Sequence, residues 1–181
     1  MIGPAIAAET RTLGIDPSHT VVQFKLRHML GRVTGTLRGA RGVLDINPDA
    51  PERASLVVTI ASRSIDTGIP LRDKHLRDEL FEVAKFPEIT FRSRKIIRTA
   101  NDRADVTGDL ALHGVTRPFV LHVTLLGANP TSAEARVTRW RATGTFKRST
   151  FELRWSNTVE AASMIGDDID LEIQAEAARL H

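Results

Sequence analysis

The chain has 181 residues, of which 41% are hydrophobic and 26% charged, with a formal net charge of +3. That is the length and composition of one ordinary globular domain, and it excludes a disordered chain. The absence of cysteine excludes a disulfide scaffold, a thiolate zinc site, an iron–sulfur cluster and a cysteine nucleophile. No apolar run reaches the roughly 18 residues a transmembrane helix needs, so stable membrane insertion is not expected.

Residues 1–8 lack a basic n-region and are too short for a full apolar h-region, yet Ala5-Ile6-Ala7 has the small-x-small look of a signal-peptidase site. They are expected to be either a flexible tail or the remnant of a signal peptide, making few contacts. Residues 9–181 are expected to form a single domain. From Val21 onward the dominant period is two. Val22, Phe24 and Leu26 share one face of a strand, and Gln23, Lys25 and Arg27 share the other. Residues 33–46 read as one long strand interrupted by Gly35, Gly39 and Gly42, where a closing sheet would bend.

Alternation returns at Leu56/Val58/Ile60, with Asp66 and Gly68 in the turn that follows. There the aspartate is expected to cap backbone N–H groups and the glycine to take a positive φ. Between Pro70 and Pro87 the period changes. Leu76 and Leu80 stand four apart, followed by Phe81, Val83 and Phe86, which predicts one short helix within residues 71–83. Alternation resumes at Ile89/Phe91, Val106/Gly108/Leu110/Leu112, Phe119/Leu121/Val123/Leu125, Trp140/Ala142/Gly144/Phe146 and Ile169/Leu171/Ile173. Short strands that are apolar on one face and separated by turn residues suit a closed barrel, with a sandwich as the alternative.

The chemistry-bearing residues form no familiar catalytic pattern. None of the six histidines pairs as H-E-x-x-H, although His28, His75 and His113 could meet in space with Asp73 to hold a metal. Asp66-Thr67-Gly68 matches the aspartic-protease tripeptide, but a second copy would have to come from a homodimer. The arginines are spread along the chain and the phenylalanines fall on apolar faces. No nucleic-acid surface is therefore expected.

Several motifs in order carry a resemblance. They are Ile15-Asp16-Pro17-Ser18-His19-Thr20 running into Val21–Met29, Val33-Thr34-Gly35-Thr36-Leu37, and Ser64-Ile65-Asp66-Thr67-Gly68. Arg72-Asp73-Lys74-His75-Leu76, Phe86-Pro87-Glu88-Ile89-Thr90-Phe91, and Gly108 through Pro118 follow in order. Over residues 10–176 the chain resembles the YceI-like, polyisoprenoid-binding family. The resemblance implies an all-β, extended eight-stranded antiparallel barrel, lipocalin-like, with one or two short helices. It implies a channel for a polyisoprenoid or similar amphipathic lipid, such as an isoprenoid quinone, a prenyl phosphate or a fatty amide. It also implies export to the periplasm or beyond, with the cytoplasm as the alternative if Met1 is the true start. Two departures stand out. Leu37 and Ala40 occupy positions where the family usually has aromatics, and Arg148-Ser149-Thr150-Phe151-Glu152 replaces Arg-Ser-Asp-Phe-Gly.

The expectation is a carrier or sequestering protein rather than an enzyme, without metal or cofactor, and with the lipid as ligand. A homodimer is left open. Val22, Phe24, Leu26, Phe91, Leu110, Leu112, Leu121, Val123, Trp140 and Phe146 should line the channel. Phe81, Val83 and Phe86, from the helical segment, should close one side or end of it. Arg72, Asp73, His75 and Arg148 are the candidates for the polar head group. The rival expectation is a small-molecule enzyme whose His75, Asp73 and His113 converge with Arg72.

Overall fold

The computed structural model describes residues 10–28, 31–47, 50–127, 137–155 and 164–180. Ten strands follow the alternation in the sequence. The first half contributes β1 (Arg11–Ile15), β2 (Val21–His28), β3 (Gly31–Arg38), β4 (Arg41–Ile46) and β5 (Ser55–Ala61). The second half contributes β6 (Glu88–Arg98), β7 (Arg103–Leu112), β8 (Val115–Leu125), β9 (Val137–Lys147) and β10 (Asp168–Arg179).

All pairings are antiparallel, in the order β1-β4-β5-β6-β7-β8-β9-β10, and β10 returns to β1 through Leu13↔Arg179 to Ile15↔Ala177. This is a closed eight-stranded barrel. β2 and β3 are additional strands that lengthen its first hairpin. Ile15 pairs with Gly42 and, past the bend, Val21 pairs with Arg38. The strand expected over 33–46 is thus broken in two at Gly39, whose φ of 76° lies in the left-handed region that favours glycine. Gly35 and Gly42 are small because neighbours approach them. A Cβ on Gly35 would lie 2.3 Å from Phe24 Cζ, and one on Gly42 would lie 2.0 Å from the Val57 carbonyl oxygen.

The helical segment starts at Pro70, in the first turn where a missing N–H costs nothing. α1 (Pro70–His75) runs into a wider π-type turn over Leu76–Leu80, within the span expected apart from Pro70 itself. In the loop before it, the Gly68 N–H donates to Asp66 Oδ1 at 2.8 Å and Gly68 has a φ of 79°. The expected capping turn is therefore present. Past the helix, His113 in the β7–β8 turn ties three segments together. Its Nε2 lies 2.8 Å from Glu82, its Nδ1 lies 3.2 Å from the Phe151 carbonyl, and the Phe86 ring packs edge-on against it.

The wall is not uniform. β8 and β9 pair only from His122↔Thr143 to Leu125↔Trp140, so their other halves diverge. Phe119, Phe146 and Phe151 fill the divergence with successive edge-to-face contacts at 6.1 and 5.2 Å. In β6, a bulge between Ser93 and Lys95 inserts one residue. It turns Ile96 inward and leaves Ile97 exposed, and Ser93 Oγ accepts the Leu56 N–H at 2.8 Å.

Candidate functional site: the barrel interior

The twelve residues of β10, at about 3.4 Å each and tilted roughly 40°, make a barrel on the order of 30 Å tall. Its inward side chains leave a cavity of 1110 Å³. That exceeds the roughly 300–1,000 Å³ common for small-molecule sites. The wall is apolar because the inward half of every strand's alternation faces it. Polar groups gather at the two ends. Arg72, His75, Glu79 and Arg148 lie at the helix end, and Glu52, Arg98, Asn101, Asp102 and Arg103 lie at the opposite end.

Nearly all the apolar residues expected to line a channel stand on this wall. Val22, Phe24 and Leu26 come from β2, Phe91 from β6, Leu110 and Leu112 from β7, and Leu121 and Val123 from β8. Trp140 and Phe146 come from β9, and Phe81 from the segment after the π-type turn. Val83 does not line the cavity, and neither does Phe86. It is held outside by the His113 ring at 4.7 Å and by Lys85, whose ammonium sits 4.9 Å from the Phe86 ring centre.

The four polar candidates separate. Arg72 and His75, i and i+3 on the helix, both reach the cavity. Asp73 does not. It is 5% exposed and accepts hydrogen bonds from the Thr67 N–H and hydroxyl, so it braces the loop before the helix. Arg148 borders the cavity but is 5% exposed. Its guanidinium donates to the Gly166 carbonyl at 2.9 Å and the Leu153 carbonyl at 2.8 Å. It acts as a pin between two chain segments. The adjacent turn is fastened by Asp167, which accepts from the Ser149 N–H at 2.9 Å and its hydroxyl at 2.7 Å. Burial pushes the Asp167 carboxyl up, but these bonds, with Lys147 and Arg148 nearby, outweigh it and hold it below the usual carboxylate range.

The groups of the enzyme reading each face a different partner. Asp73 faces Thr67, His75 Nδ1 lies 2.6 Å from Glu79, and His113 faces Glu82. His28, His75 and His113 do not come within common ligating distance. Among the described residues only Asp16, His19 and Glu176 do, on the outer surface. There Asp16 already accepts from the Ser18 N–H and contacts His19 at 2.8 Å.

Several lining residues were absent from the sequence-level set. Val58 and Ile60 on β5, and Ile169, Leu171 and Ile173 on β10, belong to alternating runs that were legible. Leu37, Ala40 and Ile65 flank the glycine bend and the capping turn, where no period marks them. Thr20 also borders the cavity at 3% exposed, and its hydroxyl has no hydrogen-bond partner among the described residues.

A family model described as YceI-like domain matches residues 13–177. Protein YceI of Salmonella arizonae is 33% identical over 153 residues, covering 83% of this chain and 79% of that protein. The crystal structure of the Campylobacter jejuni YCEI protein superposes with a TM-score of 0.70 at 30% identity, over 83% of this chain and 86% of that one. Burkholderia cenocepacia BcnA superposes with a TM-score of 0.79 at 19% identity, over 90% and 98% of the two chains. A polyisoprenoid binding domain from Saccharophagus degradans, implicated in plant cell wall breakdown, gives 0.72 at 17%, over 95% and 100%. The last two show a shared fold.

Proposed function

The chain belongs to the YceI-like family, and on that premise we propose that it binds a polyisoprenoid or similar long-chain amphipathic lipid inside the barrel, for transport, storage or sequestration. The observation that carries this reading is the continuous apolar cavity of 1110 Å³ running through a barrel whose fold needs no such space. The description of the Saccharophagus degradans domain as polyisoprenoid binding supports it by likeness of fold.

Affinity comes from area. A chain burying on the order of 500 Å² gains roughly 12 kcal/mol gross at ~25 cal/mol per Å², before ordering costs. The force is non-directional, so chain length is read loosely. Isoprenoid quinones, prenyl phosphates and fatty amides all satisfy it. The proposed compartment is the periplasm or the exterior, supported by the Ala5-Ile6-Ala7 pattern in a stretch that lies outside the described residues. Cell fractionation tests that.

Mass spectrometry of lipid extracted from protein purified without detergent tests the ligand. A long-chain isoprenoid or amphipathic lipid in near-stoichiometric amount is expected. Protein that is lipid-free and takes up no added prenol overturns the reading.

A further inference from the structure

On their far sides β8 and β9 are laddered along nearly their whole length. β8 pairs with β7 from Arg103↔Thr124 to Leu112↔Val115, and β9 pairs with β10 from Asp168↔Lys147 to Ala178↔Val137. Against each other they stop at His122↔Thr143. Beyond that pair, between residues 115–121 and 144–147, side chains rather than backbone close the wall. Phe119 and Phe146 meet edge to face at 6.1 Å, and Phe151, 1% exposed, wedges against Phe146 at 5.2 Å.

The seam also has an outer face. A groove of 930 Å³ lies over it, and Phe119, Phe146 and Leu171 border both this groove and the cavity. One layer of side chains therefore separates the two spaces. Turning those rings aside breaks no ladder bond, whereas parting fully paired strands breaks several. The free edge of β8 is a poor template for a second strand. The two-residue β7–β8 hairpin closes on the bonded pair Leu112↔Val115, so Thr116, Pro118 and Val120 turn their backbone toward β9. Pro118 has no N–H to offer there. Both ends of the tube, by contrast, are rimmed by charged side chains tied to backbone. Arg98 donates to the Ala100 and Asn101 carbonyls at 3.0 Å, and Arg148 to those of Gly166 and Leu153. An apolar chain entering end-on passes these groups, while one entering through the seam passes phenylalanine rings and Leu171.

We propose that the β8–β9 seam is a side entrance to the cavity, and that the groove above it is a transit site for the apolar chain of the lipid. This rests on the lipid-carrier reading above. The continuity of groove and cavity through Phe119, Phe146 and Leu171 names the occupant, because a chain lying in the groove has the cavity directly beneath it. The rings act as a plug that swings aside for the chain and closes behind it.

The test pins the seam and measures loading. Val120→Cys with Thr145→Cys places two thiols at the facing positions next beyond His122↔Thr143 in the same register, and the chain has no other cysteine. Thr107→Cys with Val120→Cys, opposed in the β7–β8 ladder, is the control. Both pairs are bridged by the same short bis-methanethiosulfonate reagent and released by reductant. The delipidated protein is then mixed with neutral phosphatidylcholine vesicles carrying a radiolabelled long-chain prenol. Bridging the seam should slow uptake about tenfold, with the amount bound at equilibrium within about twofold of the reduced protein. Reductant should restore the rate, and the control bridge should leave it unchanged.

Uptake as fast with the seam bridged as with it reduced, or an equal slowing by the control bridge, overturns the inference and leaves the carrier reading standing. Failure of the reduced protein to take up prenol at all overturns both. If the seam bridge does not close, Phe146→Leu decides. The smaller side chain trims the plug and should quicken uptake about threefold. An unchanged rate in that folded variant overturns the inference.

Discussion

Phe24 lies at the centre of the cleanest alternating run and is 7% exposed, with its ring laid over Gly35 on the neighbouring strand. Phe24→Asp places a carboxylate on the apolar wall. Left unpaired there, the charge costs several kcal/mol, or the group takes up a proton instead. Co-purified lipid should fall to near zero in this variant. Phe24→Trp keeps the apolar character but adds volume, so it should fold with a normal far-UV circular dichroism spectrum and retain less lipid or shorter chains. Unchanged retention with unchanged stability would show that this side chain does not meet the ligand.

At Asp167 the effect of pH has a definite sign. The carboxyl titrates lower in the folded protein than in the unfolded chain, because Ser149 donates twice to its charged form. The unfolded state therefore binds more protons in the acid range, and the contribution of this carboxylate is present above the usual carboxylate pKa. It should be lost as pH falls below about 4. Asp167→Asn should flatten the acid limb of a stability-versus-pH curve relative to the unaltered protein. An identical limb would mean that the turn contributes nothing there.

Strands β2 and β3 show how a pair of elements keeps the lumen open. Gly35 leaves the space in which the Phe24 ring lies flat, and Gly144 does the same for Phe119, where an added Cβ would sit 2.5 Å from Cζ. The aromatic mass is thereby stored on the wall rather than in the middle of the tube. Gly35→Ala forces the Phe24 ring off its seat, either into the cavity or against the strand. The expected cost is ~1–3 kcal/mol of overpacking, with reduced lipid capacity. Chemical denaturation together with lipid extraction measures both. A variant as stable and as well loaded as the parent would show that the ring has another place to go.

The whole molecule presents a closed wall around a large apolar space. Such a space stabilises the fold less than a filled core, because its lining lacks partner atoms. A ligand that binds only the folded barrel adds about 2.7 kcal/mol at a hundredfold excess over its Kd. For a chain of this length that is a rise in Tm of roughly 5–10 °C. Stripping lipid from the protein and adding it back should move the melting temperature by that amount in each direction. A shift below about 1 °C at saturating lipid would argue that the space is not the binding site.

Much of the architecture was legible because side-chain facing in a strand is a local property. Val22/Phe24/Leu26, Leu110/Leu112 and Leu121/Val123 declare their shared faces through period two alone, and Pro70 with Leu76 and Leu80 announces the helical interruption. The motifs from Ile15 to Pro118 carried the family. Tertiary structure decided what depends on partners distant in sequence. Phe86 was expected in the channel, but His113 in the β7–β8 turn holds it outside. Asp73 and Arg148 looked available for a ligand until Thr67, Gly166 and Leu153 were brought against them. The bulge at Ser93 could not be counted from the run Ile89–Arg98, where strict alternation would have turned Lys95 and Ile97 inward. Whether the interior is filled or open was equally out of reach. Burial on one face is the same signal for both, and only the closure of β10 onto β1, with rings laid over glycines, leaves the volume unfilled.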